Sequence, residues 1–427
     1  MLICRFVMRH HAVAGWAEIR RLSVKPTIKQ LRWLQCGLPS LHSLLSSYFQ
    51  ASLMFQPAVR HSLLLNSLKS PSRLAKPLTS AKNPVFALNM STASKITNWV
   101  DPNDKSGEFR RKPSAFRNWI SREAGAEFPP EKDRYHLYVS YACPWAHRTL
   151  VTRKLKGLED FIPITSVHWH MGEQGWRFAV ADEKLPGETH PDPLHDFTHL
   201  RQLYFESDKD YTGRFTVPTL YDKKAKRIVS NESAEIIRMF YYEFDDILPE
   251  KYRNVDLFPE TLRKSIEEAN EWVYNTVNNG VYKSGFATTQ DAYEAAVIPL
   301  FSSLDRIESH LASKYNPADP SSIYFFGNTV TEADIRLYTT IIRFDPVYVQ
   351  HFKCNIRDIR SGYPAIHRWM RHLYWDIPAF GETTEFEHIK KHYTKSHGQI
   401  NQFAITPLGP VPDILKKDEE VRAVLTK

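Results

Sequence analysis

The chain has 427 residues, room for two ordinary domains plus extensions, and its apolar (42%) and charged (24%) fractions are those of a globular protein. No run of 18 or more apolar residues occurs, so no membrane span is expected. The net charge of +8 is local: residues 1–90 carry twelve Lys and Arg against one acid, Glu18, which leaves −3 on the remainder and argues against a nucleic-acid-binding body.

That basic leader is rich in Ser, Leu and Arg and resembles a mitochondrial transit peptide; a disordered leader is the alternative, and Met90 is a candidate second start. The expected compartment is accordingly the cytoplasm or the mitochondrion. Residues 91–134 are polar with scattered aromatics and prolines, and read as an extension packed on a domain.

A regular pattern begins at Tyr135. YHLYVSY reads as a strand, CPWAHRTLVTRKL as a helix and FIPITSVHW as a second strand, a βαβ unit. Residues 170–195 are polar and irregular. HDFTHLRQLYFESD is helical, RFTVPTLYD and KRIVSN are two strands joined by a Lys-rich turn, and ESAEIIRMFYYEF is a closing helix. The order over residues 135–246 is that of a thioredoxin-like α/β domain.

Residues 247–395 change character. Helical periodicity covers 256–279 and 290–313, followed by TEADIRLYTTIIRF, YPAIHRWMRHLYW and TTEFEHIKKHY. Thr331 and Asp334 have the spacing of a capping box. The second domain is expected to be all-helical, and residues 396–427 an extended Pro-rich tail.

The four cysteines, Cys4, Cys36, Cys143 and Cys354, are too widely and irregularly spaced for a disulfide scaffold or a zinc site. His168 and His170 have no partner pattern for a metal, so none is expected. One functional thiol remains, Cys143, at the expected strand–helix junction. Pro144 suits the first helical turn, and the free N–H groups there favour an anion, so this thiol is expected to ionise easily. His147 and Arg148, one turn along, are expected to add positive potential.

The motif CPWA has Ala146 where a dithiol motif has its second cysteine. A mixed disulfide on Cys143 must then be released by an external thiol, and the abundant one is glutathione. Val217-Pro218 is a candidate cis bond beside which an extended peptide can pair as an added strand. Ser233 and its neighbouring N–H groups suit a carboxylate and Glu232 an ammonium, the two charges of a γ-glutamyl end. Trp176 and Arg214 are candidates to cover the site and hold the glycyl carboxylate.

CPWAHR, GRFTVPTL, SNESAEIIRM, NNGVYKSGFA and TEADIRLYTTIIRFDPVYV, in that order over residues 95–410, resemble the glutathionyl-hydroquinone reductases, the xi class of glutathione transferases. The resemblance implies a glutathione-transferase helical domain behind the thioredoxin-like one, and a homodimer. It implies glutathione as co-substrate, bound by Trp176, Arg214, Val217, Pro218, Glu232 and Ser233. It implies that Cys143 removes glutathione from glutathionylated hydroquinones through a mixed disulfide, while Tyr282 and Tyr348 contact the hydroquinone. Arg343 and His351 are weaker candidates nearby. An omega-like thioltransferase or dehydroascorbate reductase, and a non-catalytic assembly domain, are the competing expectations.

Overall fold

A computed structural model of the chain describes residues 99–100 and 105–420. The leader, Met90, Cys4 and Cys36 lie outside the described residues. Among the described residues, no helix is long and apolar enough to cross a membrane.

β1 (Tyr135–Val139) is the second strand of a four-stranded sheet ordered β2-β1-β5-β6. It pairs in parallel with β2 (Ile164–Ser166), Leu137 opposite Ile164, and antiparallel with β5 (Thr219–Asp222), Leu137 opposite Leu220. β6 (Arg227–Ser230) completes the sheet antiparallel to β5. Every β1 residue is buried, because α1 (Pro144–Leu155), α2 (Leu200–Ser207) and α3 (Ser233–Tyr242) share one core with the sheet. The stretch expected to be irregular holds a small hairpin, β3 (Met171–Gly172) and β4 (Gly175–Trp176). Gly175 takes a φ of +87°, which a turn of this kind requires and a side chain resists. This hairpin places Trp176.

A short helix, α4 (Glu250–Arg253), packs its Tyr252 against the first core, and the second core is helical: α5 (Arg263–Val273), α6 (Gly280–Phe286), α7 (Gln290–Lys314), α8 (Glu332–Ile341), α9 (Ile359–Gly362), α10 (Pro364–Asp376), α11 (Pro378–Gly381) and α12 (Phe386–Ser396). Asp334 accepts from the Thr331 N–H at 2.9 Å, as the capping spacing predicts. The same carboxylate also accepts from the Phe325 N–H and the Trp369 indole N–H, so the cap pins three segments.

The helical run expected over 256–279 is divided. It begins at residue 260 as a 3-10 turn, becomes α5, and then widens into a π turn over Tyr274–Asn278 before α6. The widening turns Asn278 across the interface. Its Nδ2 donates to Thr340 Oγ1 at 2.8 Å, and its Oδ1 accepts from Arg148 at 2.8 Å. A second π turn, Phe344–Tyr348, follows α8. π turns often mark functional sites; here the second contains Tyr348 and the first leads into α6, which carries Tyr282. Gly285 in α6 is a packing requirement: a Cβ there would stand 2.1 Å from the Phe352 ring.

Candidate active site

Cys143 is the N-cap residue of α1 and Pro144 its first helical residue. The thiol is half-buried and lies 3.5 Å from the Val217 carbonyl oxygen, to which it donates. Val217-Pro218 is cis, as the sequence suggested. The loop therefore brings the nucleophile candidate and the strand-pairing candidate together from 74 residues apart.

Two cavities meet here. The larger, about 370 Å³, is polar at one end, where Pro218, Asn231, Glu232 and Ser233 line it. The smaller, about 90 Å³, holds Cys143, Trp176, Tyr282 and Tyr393. Trp99, Arg111, Trp145, Arg214 and Val217 line both. Five of the nine residues singled out for the site thus line the larger cavity, and two of them, Arg214 and Val217, join it to the cavity that holds Cys143, Trp176 and Tyr282.

Details differ from expectation. The N-cap of α3 is Glu232: its Oε1 accepts from the Ala234 N–H, and its Oε2 accepts from the Ser114 hydroxyl at 3.0 Å. Ser233 is the first helical residue and is buried. Tyr348 does not reach the cavity. It is fully buried behind the wall, and its phenol meets the Tyr393 oxygen at 3.1 Å. Tyr393 in turn meets the Tyr282 oxygen at 2.6 Å. Tyr393 was not picked out by the sequence reading, since it lies 111 residues from Tyr282 on α12, amid other aromatics at helical spacing.

The electrostatics also need correction. Burial pushes the Cys143 thiol up from its ordinary value, against the opposing pull of the Ala146 and Trp145 N–H groups and of the Arg343 and Arg111 charges. The helix end alone does not acidify it, because desolvation outweighs the donors. His147 adds no positive potential: burial, with the Arg343 charge beside it, holds its pKa well below the ordinary value. Its Nδ1 faces an Arg343 N–H at 2.9 Å and its Nε2 faces Thr383 Oγ1 at 2.9 Å, which suits the neutral ring. Burial also lowers the Arg148 guanidinium, which is spent on Asn278 and on the face of Trp145. The cation added to the site is Arg111, from the extension, over the rings of Trp145 at 4.3 Å and Tyr282 at 5.3 Å.

Imidazoles line the apolar side. His392 stacks on Trp176 with centroids 4.7 Å apart, and His351 Nε2 lies 3.1 Å from His397 Nδ1. Burial lowers His392 to about 3 and His351 to about 4, and holds His397 well below its ordinary value. In the unfolded chain these rings take up protons below about pH 6.5, whereas the folded protein resists protonation until near pH 4. Their contribution to stability is therefore intact above pH 6.5 and is lost as pH falls toward 4. Thermal melts across that window should show Tm falling with acidification, with a loss of up to about 1.4 kcal/mol per pH unit for each ring. A flat Tm would mean that these rings charge freely in the fold. Among the described residues, no cluster of side chains is arranged to hold a metal, His168 and His170 included.

Comparison with known proteins places the fold in a family. Residues 142–241 match the family model described as Glutathione S-transferase, N-terminal domain, and residues 290–372 the one described as Glutathione S-transferase, C-terminal domain. The chain is 56% identical over 320 residues to Glutathione S-transferase omega-like 2 of Schizosaccharomyces pombe, covering 75% of this chain and 97% of that protein. It is 49% identical over 322 residues to Glutathionyl-hydroquinone reductase YqjG of Escherichia coli, covering 74% and 93%. The glutathione-bound structure of YqjG aligns with a TM-score of 0.65, covering 72% of this chain and 97% of that one. The xi glutathione transferase of Phanerochaete chrysosporium aligns with a TM-score of 0.70 at 58% identity, covering 74% and 96%. Fold and relatives agree: the chain belongs to the glutathionyl-hydroquinone reductase family, the xi class of the glutathione transferases.

Proposed function

We propose that the protein removes glutathione from S-glutathionyl-hydroquinones, using a second glutathione and releasing the oxidised disulfide. One observation carries this reading: a single thiol stands where a cavity lined by Val217, Glu232 and Ser233 meets an aromatic one lined by Tyr282 and Tyr393. Cys354, the other cysteine among the described residues, is buried in the helical core and is no resolving partner.

Glutathione fits the larger cavity by its chemistry. Its main chain pairs with Val217, its γ-glutamyl ammonium meets Glu232, its α-carboxylate meets Ser233 and the α3 N-terminus, and Arg214 is a cation for the glycyl end. Pairing at Val217 engages the carbonyl that otherwise accepts from Cys143, which frees the thiol to lose its proton. The hydroquinone ring then lies against Tyr282 and Tyr393.

The Cys143 thiolate attacks the glutathione sulfur. The sulfur–carbon bond breaks, its electron pair stays on the aromatic carbon, and that carbon takes a proton from the phenol cluster. Cys143 is left bonded to glutathione through sulfur. A second glutathione thiolate attacks the glutathione sulfur of that mixed disulfide, releasing oxidised glutathione and the Cys143 thiolate. One hydroquinone is formed and two glutathione units are oxidised to one disulfide.

Intact-mass measurement after exposure to a glutathionyl-hydroquinone, without free glutathione, should show one glutathione adduct, mapped to Cys143 and removed on adding glutathione. Rapid turnover with no adduct under those conditions would overturn the reading. Faster turnover on a simple mixed disulfide than on the hydroquinone conjugate would favour a thioltransferase instead.

A further inference from the structure

Arg343 follows α8 and begins the second π turn, and it is fully buried. Its Nε donates to the Ala142 carbonyl at 2.9 Å and its Nη2 to the Tyr141 carbonyl at 2.8 Å. Its Nη1 donates to the Thr339 carbonyl at 2.7 Å and to His147 Nδ1 at 2.9 Å. Every one of these acceptors is neutral, and within the described residues no carboxylate is among its partners.

A buried cation without a counter-ion is costly, so its retention calls for a use. The two carbonyls it grips from one side belong to the residues immediately before Cys143. Arg343 comes from the helical core and holds the catalytic turn of the other domain across 201 residues of sequence.

The other groups around the thiol do not supply what Arg343 supplies. Arg111 and Arg214 are cations in the same cavity, but Arg111 is solvent-exposed and its field is screened by water. Tyr282 and Tyr393 are neutral phenols held protonated by burial. His392 and His397 are neutral rings at physiological pH, and so is His147. Arg343 combines a dry charge with direct bonds to the turn.

We propose that Arg343 is a positioning residue for the nucleophile: its charge is the internal counter-ion of the Cys143 thiolate formed in turnover, and its N–H groups aim the turn that carries it. The proposal rests on the reading of Cys143 as nucleophile given above.

The test is the pH profile of Cys143 alkylation by iodoacetamide in the full chain, read on the Cys143 peptide by mass spectrometry. For R343Q the half-rise should move upward by about one to three pH units. R343K keeps the charge, so its half-rise should stay within about half a unit of the unmodified protein. Its kcat should nonetheless fall, with little change in KM, because a lysine cannot grip both carbonyls in the same fork. A folded R343Q with an unmoved profile would overturn the proposal. An R343K profile shifted as far as that of R343Q would do the same, and R343K alone decides the matter if R343Q does not fold: a shift of more than about one unit counts against the counter-ion role. The readout needs no turnover. Retained activity in Cys143→Ser would therefore defeat the assigned reaction, whereas an unmoved titration defeats only the role of Arg343.

Discussion

Replacing Cys143 with serine is expected to lower turnover of a glutathionyl-hydroquinone by at least about three orders of magnitude, the scale on which removal of a covalent nucleophile acts. Glutathione affinity should change by no more than about threefold, because the proposed binding site in the larger cavity is lined by Val217, Arg214, Glu232 and Ser233 and does not include the thiol. The chemical reason is specific. A serine oxygen is far harder to ionise than a thiol and cannot form the disulfide on which the second step depends. Steady-state kinetics with calorimetric titration of glutathione separates the two quantities. Substantial turnover in the variant would sink the mechanism. Lost turnover together with lost binding would show that the thiol is part of the binding site and would leave its chemical role without support.

The second large effect concerns the phenols. Three hydroxyl protons are present on Tyr282, Tyr348 and Tyr393, and the two hydrogen bonds among them use two. The third remains to be given to a substrate oxygen or carbon. Burial raises Tyr282 to about 12 and Tyr348 and Tyr393 well above the ordinary value, so all three are protonated donors at neutral pH. Tyr282→Phe and Tyr393→Phe are each expected to slow hydroquinone turnover by about 10²-fold, the lower range for a lost general acid. Tyr348→Phe should cost less, about tenfold, since Tyr348 acts through Tyr393 from behind the wall. Turnover of a simple mixed disulfide, which has no ring to protonate, should be nearly unchanged in all three. Equal losses on both substrates would assign the phenols to packing or to support of the thiol instead.

The chain order of the thioredoxin-like unit was legible because each element carries its own local pattern: a short β-rich run in YHLYVSY, turn residues between the last two strands, a proline just inside α1. The helical domain was legible for the same reason, down to the Thr331–Asp334 cap. The two π turns were not. A π turn inserts between helical stretches without changing their apolar character, and the partners of the first one's Asn278, Thr340 and Arg148, lie in other elements. The β3–β4 hairpin was missed because two-residue strands have no periodicity to read.

By itself the sequence determined the parts whose chemistry is settled within a few bonds: a cysteine at a strand–helix junction followed by proline, a Val-Pro pair in an extended bend, an Asn-Glu-Ser helix entry. Tertiary structure alone decided which distant side chains join them, bringing in Arg111, Arg343 and Tyr393 and leaving Tyr348 behind the wall. It also decided the charge state of what was joined, raising the thiol and holding His147 neutral where helix position pointed the other way. Ionisation depends on water removed and charges approached, and both are set by neighbours in space, most of them remote along the chain.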